Sequence, residues 1–369
     1  MNVYDRLGAR PVVNCRGVYS ELGGAIIGEN VWAAMTEANR SAASMSELLE
    51  ATGKRLAALL GAEAGRVTPG AAAGIALATA ACMTRGDGEA SERLPETSGL
   101  PDEIVFQRVQ LPEYKYARVI RLPGARLRLV DSPEELEGAL DPERVAATFV
   151  PAHLDELPGA LPLREVAALA RERGIPTIAD AAFLNYPPEG MRRFTEEGAD
   201  LVCFSAKYSY GPNTGGFVVG RADLVDALAG VDFTNFETGR WAKYGRPFKL
   251  DLHTVVGTTV AVEEWFEADH EARWRSYAEL VDQLVSAVEG LPGVSAERRF
   301  FTMVETLEDE PVNCLVLHTA RAPEAERALW DANPRIAVHR WDDTLIVAVD
   351  TLLPEQCAYV ADQLRAALA

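Results

Sequence analysis

Three residues could carry chemistry in this 369-residue chain: a lysine, an aspartate and a glycine. Lys207 follows the apolar run Leu201 to Ala206 and precedes a loop of aromatics and glycines, so its amine is expected at the base of a cleft. Asp180 closes the run Pro176-Thr177-Ile178-Ala179-Asp180, where a carboxylate is costly unless a cation or several donors meet it. Gly70 opens an almost uncharged Ala-rich stretch. The first N–H groups of such a helix lack intrahelical partners and can approach a phosphate, with the helix dipole favouring the negative charge. Each residue is ordinary alone. Gly70 also suits a tight strand-to-helix turn, Asp180 a structural hydrogen bond, and Lys207 an outer surface.

Together they meet the demands of a pyridoxal 5'-phosphate site: a phosphate cradle, an acid facing the pyridine nitrogen, and an amine that joins the aldehyde as a Schiff base. An anionic Asp180 would keep the ring nitrogen protonated, making the ring an electron sink. Lys207, once exchanged for substrate, becomes the base that removes the Cα proton. The 27 residues from Asp180 to Lys207 hold one helix, one strand and their connections, which predicts neighbouring sheet positions.

The elements that must position these groups alternate in kind, which predicts an α/β fold around a mostly parallel sheet. Residues 46–61 have helical apolar spacing, with a start at Ser46. A strand through Val67 then meets a turn at Pro69-Gly70 and a buried Ala-rich helix. Residues 85–103 are rich in Gly, Pro and acids and read as an exposed connection. Strands follow at DEIVFQ, RLRLVD, ATFVPA, PTIAD and DLVCFSA, with helices at SPEELEGAL, where Ser132 is the N-cap, and at LREVAALARERG. In open parallel sheets, ligands sit outside the carboxyl ends of the strands. A long helical stretch over 253–290 leads to strands at VNCLVLHT, RIAVHR and DTLIVAVD and a closing helix at PEQCAYVADQLRAAL. The expected divisions are an N-terminal arm 1–45, a large cofactor-binding domain 46–250, a connecting helical segment 251–290, and a small C-terminal α+β domain 291–369.

Composition sets the class. The chain is 48% hydrophobic and 25% charged, which excludes disorder and predicts a sizeable core. A formal net charge of -19 argues against nucleic acid as a partner. Five scattered cysteines, never in CxxC spacing, indicate neither a disulfide framework nor a zinc site. The opening MNVYDRLGARPVVN has no apolar core of a secretion signal, and no run of about 18 uncharged apolar residues occurs, so the expectation is a cytoplasmic protein with no membrane partner.

Several segments carry a resemblance: YDRLGARPVVNCRGVYSELGGAI, RVTPGAAAGIALATAACM, GIPTIADAAFLNYPP, FTEEGADLVCFSAKYSYGP and GRPFKLDLHTVVGTTVAVEEW. Over nearly its whole length the chain resembles the fold-type-I pyridoxal phosphate enzymes, within them the L-seryl-tRNA(Sec) selenium transferase-like family that includes D-glucosaminate-6-phosphate ammonia lyase. The resemblance implies that Lys207 is the Schiff-base lysine, Asp180 the pyridinium partner, Gly70 and Ala71 the phosphate cradle, and Ser205 a phosphate hydroxyl. It also implies a homodimer or higher homo-oligomer whose cofactor pocket draws on two chains. The family often reads TSGAAAG where this chain has Pro69, and FSGGK or FSGDK where it has Phe204-Ser205-Ala206-Lys207. Gln110 stands where relatives carry a histidine beside the ring and is expected to contact the cofactor. Tyr208 and Tyr210 stand where lyase-like relatives carry an arginine and are expected to contact the substrate.

Further candidates are Arg246 and Lys249, which match a family GR-x-x-K/R pattern and suit a phosphate or substrate acid across a dimer interface, and His153 at a strand end near the cofactor face. Arg340 suits a bidentate clamp on a substrate carboxylate, and Tyr19 and Arg16 suit closure over the site. These residues most simply serve α,β-elimination on a small amino acid or amino sugar acid. The alternatives are an oxidase or oxygenase that passes electrons to dioxygen, and a selenium transferase-like replacement at Cβ. A non-catalytic protein retaining the fold is disfavoured by the intact Lys207 and Asp180.

Overall fold

The computed structural model describes residues 3–369. The chain divides into two compact units, one of Ile27–Glu267 and one joining Met1–Ile26 to Ala268–Ala369.

Strand β1 (Val12–Asn14) belongs to the second unit, and the first is built on seven strands. These are β2 (Ala64–Thr68), β3 (Glu103–Gln107), β4 (Arg126–Val130), β5 (Val145–Pro151), β6 (Thr177–Asp180), β7 (Leu201–Ser205) and β8 (Gly216–Gly220). They lie in the order β2-β8-β7-β6-β5-β3-β4, and all run parallel except β8, which is antiparallel to both neighbours. Every residue of β3, β5, β6, β7 and β8 is buried, as a sheet covered on both faces requires. The buried charge of Glu103 on β3 is matched: it meets Arg144, Arg128 and Arg126 at 2.5, 3.2 and 3.5 Å.

The Ala-rich helix Gly70–Thr84 is buried on nearly every side, as its lack of charge predicts. Small residues let it lie against β7 and β8: a Cβ on Gly74 would come within 3.0 Å of Val218 Cγ2. The closest approach is at its start. A Cβ on Gly216 would lie within 2.7 Å of Gly70 C, Gly70 Cα and Ala71 N, all backbone atoms. Gly70 itself has φ +80°, a conformation that suits glycine.

The second unit contains a five-stranded antiparallel sheet in the order β10-β9-β11-β14-β13, from β9 (Ser295–Phe301), β10 (Leu307–Glu308), β11 (Cys314–His318), β13 (His339–Trp341) and β14 (Thr344–Ala348). Strand β12 (Arg335–Ala337) instead pairs in parallel with β1. Val13, Leu284, Leu315, Val347 and Val360 are among the core of this unit.

Several expected elements differ in detail. The helix expected from Ser46 runs Met45–Leu60, and Ser44 is its N-cap, accepting from Glu47 N. Residues 85–103 contain a short helix, Gly88–Arg93, because Asp87 caps its N–H groups and Ala90 finds a buried position. The stretch over 253–290 is two helices, Leu252–Glu267 and His270–Val288, since Asp269 leaves the helical conformation and caps the second through Ala272 N. RIAVHR is two short strands broken at Val338, and β9 was not anticipated.

Gly216→Ala should therefore force backbone apart at the Gly70 helix start. We expect a loss of about 2 kcal/mol or more in denaturant unfolding; wild-type stability would contradict this packing.

Candidate active site

The parallel strands of the first unit end along one sheet edge, and the residues singled out by sequence collect there. Asp180 is the last residue of β6 and pairs in register with Cys203 of β7. Ser205 ends β7 opposite Gly216, and Lys207 lies in the single turn Ala206–Ser209 beyond it. The Gly216–Gly70 contact brings the helix start to the same edge. Pro69, its N-cap, provides no side-chain cap to the first-turn N–H groups.

Asp180 is 4% exposed and is met by two donors. Tyr114 Oη donates to Oδ2 at 2.7 Å, and Ala182 N donates to Oδ1 at 3.0 Å. Burial pushes its carboxyl upward, and both hydrogen bonds pull the other way. Burial likewise holds the Lys207 ammonium below its ordinary value. Its Nζ lies 4.8 Å from the Tyr208 ring centroid, a contact that favours the cation but does not reverse the direction.

A row of rings joins these two groups. Tyr208 is 6.1 Å from Phe183, Phe183 is 5.1 Å from His153, and His153 is 6.1 Å from Tyr114. Burial pushes His153 down to about 4, so it is neutral at physiological pH. The Tyr208 and Tyr114 phenols are pushed up, mainly by burial, and keep their protons.

Other candidates fall elsewhere. Gln110 is fully buried; its Nε2 donates to Leu154 O and its Oε1 has no partner, so its amide lies inside the protein. Tyr210 adopts φ +57° and its carbonyl accepts from Gly28 N. Arg246 pairs with Glu237 at 2.9 Å and lies over Phe236, while Lys249 is exposed. Arg16, Tyr19 and Arg340 belong to the second unit. There Arg16 meets Glu21 at 2.7 Å, Tyr19 Oη donates to Glu305 at 2.7 Å, and Arg340 Nε donates to Glu326 at 2.6 Å.

Tyr114 and Phe183 were missed by sequence reasoning. Tyr114 lies four residues after Gln110, and Phe183 three after Asp180. That spacing was the available signal.

The donor set fits pyridoxal phosphate: a buried carboxylate suited to a protonated ring nitrogen, an amine biased toward its neutral form, and uncapped N–H groups suited to a phosphate. No family model matches the chain. A 5'-C-glycyluridine monooxygenase-decarboxylase from a Streptomyces species is 33% identical over 303 residues, spanning 79% of this chain and 72% of that protein. D-glucosaminate-6-phosphate ammonia lyase of Salmonella typhimurium is 28% identical over 297 residues, spanning 79% and 77%. L-seryl-tRNA(Sec) selenium transferase of Desulfomicrobium baculatum is 26% identical over 262 residues, spanning 61% and 53%. Among solved structures, a D-glucosaminate-6-phosphate ammonia-lyase shares the fold at TM-score 0.84 and 23% identity, covering 100% of this chain and 98% of that one. A Sphingomonas wittichii serine palmitoyltransferase does so at TM-score 0.54 and 15% identity, covering 97% and 87%. The fold is that of the fold-type-I pyridoxal phosphate enzymes. The chain belongs to that family of enzymes, in the group that holds the monooxygenase-decarboxylase and the ammonia lyase.

The lowered Lys207 ammonium has a direct readout. In the cofactor-free protein, reductive methylation with isotope-labelled formaldehyde gives an NMR signal for each lysine, and Lys207→Arg identifies the one lost. Its amine should become neutral from a lower pH upward than an ordinary lysine, whose midpoint is about 10.4. A midpoint at or above that value would contradict the burial of this amine.

Proposed function

We propose that this enzyme acts on an amino acid derivative, with Lys207 joining the cofactor aldehyde and Asp180 facing the ring nitrogen. Gly70 and Ala71 N–H groups, with the Ser205 hydroxyl, hold the phosphate. The observation that carries this is the placement of Asp180 and Lys207 at adjoining strand ends, on the edge that the uncapped helix start also reaches. When bound, the cofactor supplies a sink for the electron pair left at Cα. Asp180 holds a proton on the ring nitrogen, and the Lys207 amine, which burial biases toward its neutral form, takes the proton from Cα.

The groups around Lys207 bear on the fate of that electron pair. His153 is neutral, and the Tyr114 and Tyr208 phenols hold their protons tightly. None of these three adds an acid to the Lys207 ammonium as a proton source at Cα. We place oxidation first on the 33% identity to the monooxygenase-decarboxylase. For a glycyl-type amino acid the balance closes without an external reductant: Cα–H and Cα–carboxylate bonds break, and dioxygen supplies one oxygen to a carboxamide and one to water. Carbon dioxide leaves. The second reading is α,β-elimination, favoured by the 28% identity to the ammonia lyase. There Lys207 takes the Cα proton, the Cβ hydroxyl of a β-hydroxy amino acid leaves with a proton as water, and one water then adds to the released enamine to give ammonia and a 2-oxo acid. The homodimer and the cytoplasmic location expected from sequence belong to this same proposal.

The test is one experiment with two arms. Protein loaded with pyridoxal phosphate is reduced with borohydride, and the labelled peptide should contain Lys207. Loaded protein is then offered glycyl-nucleoside and β-hydroxy amino acids with and without air. Oxygen uptake matched by carbon dioxide release, with no anaerobic turnover, is expected. Anaerobic ammonia release would overturn the oxidative reading in favour of elimination, and label on another lysine would overturn the site.

A further inference from the structure

The carboxylate of Asp180 has about four lone-pair directions, and Tyr114 and Ala182 N each take one. The amide is backbone and is set by the turn after β6. The phenol comes from a segment 66 residues earlier in the chain, and its approach has to be fixed by packing.

That packing is present on several sides. The Tyr114 ring stacks on Phe106 at 5.8 Å and lies 5.6 Å from Phe149, 6.0 Å from Tyr116 and 6.1 Å from His153. The backbone is tied as well: Tyr114 N donates to Gln110 O at 3.1 Å, and Gln110 Nε2 donates to Leu154 O at 3.1 Å. The fully buried Gln110 thus links the turn that carries Tyr114 to the turn that carries His153. A phenol held this way has little rotamer freedom, so its hydrogen bond is formed before any ligand arrives.

We propose that Tyr114 is a positioning residue that holds Asp180 as an oriented carboxylate, with its remaining lone pairs directed to the cofactor ring nitrogen. This rests on Asp180 being the ring partner. The phenol stays protonated, because burial and the adjacent carboxylate both push its ionisation up, so it donates across the physiological range. The other titratable groups facing Asp180 are Cys203, its partner in register, and Tyr208 beyond the next strand, and burial keeps both neutral. The Tyr114 hydrogen bond is therefore the side-chain contact that favours the charged form of Asp180.

Tyr114→Phe keeps the ring and its stacking but removes the donor, and near-ultraviolet circular dichroism checks that the core is intact. In the cofactor-free protein, with carboxyl-carbon labelling, the Asp180 titration midpoint should rise by about one to two pH units. Replacing Tyr114 with 3,5-difluorotyrosine, a more acidic phenol and a stronger donor, should lower it. In the loaded protein, the ring-nitrogen NMR shift should move toward the unprotonated form in Tyr114→Phe. An unchanged Asp180 midpoint in both variants would overturn the role of Tyr114 while leaving Asp180 as the ring partner. A shifted midpoint with an unmoved ring nitrogen would overturn the proposal by removing Asp180 from the ring.

Discussion

A carboxylate held by two hydrogen bonds at the buried end of a parallel strand is the constraint on which the site depends. Asp180 loses nearly all of its hydration, and its ionised form is supported by Tyr114 and Ala182. In an ordinary core an apolar residue of similar size would serve as well or better. A cationic partner such as a protonated ring nitrogen would complete it. The parallel order of β5, β6 and β7 brings strand ends together, so that His153, Asp180 and Lys207 arrive on one edge from three separate segments.

The second constraint is close approach. Gly216 presses on Gly70 so tightly that no side chain fits between them, and a Cβ on Gly215 would collide with Thr258 Oγ1. The loop after Lys207 is thereby held between the Gly70 helix start and the helix Leu252–Glu267. Backbone strain at this edge falls on Tyr210, whose left-handed conformation turns the chain just after the lysine turn. Rigid scaffolding around a few polar groups is what an electrostatic site needs, because its donors must already point correctly.

Much of this was legible in sequence, and the reasons are local. Lys207, Asp180 and Gly70 each sit where an apolar run stops or starts, and a strand end or helix start is marked by a change over two or three residues. The Ala-rich helix announced its burial through its lack of charge. Tyr114 was not legible as a partner of Asp180, because a contact across 66 residues leaves no local period. Strand β9 was missed because its first four residues are exposed and include Glu297 and Arg298, so it lacks an apolar face at its start. RIAVHR reads as one run, yet Arg335–Ala337 pairs with β1 and His339–Trp341 with β14, a division set by partners elsewhere in the chain. Arg340 looked free to clamp a carboxylate until the fold supplied Glu326.

On this account the charge of Asp180, and not merely its shape, drives the chemistry. Asp180→Asn keeps the volume and can still accept from Tyr114, but removes the charge. The direct measurement is the rate at which solvent deuterium enters substrate Cα in the loaded protein. Loss of a charge-assisted bond to the ring nitrogen should slow that exchange by about 100-fold while cofactor binding weakens modestly. Exchange near the wild-type rate would show that Asp180 is structural and that the ring lies elsewhere.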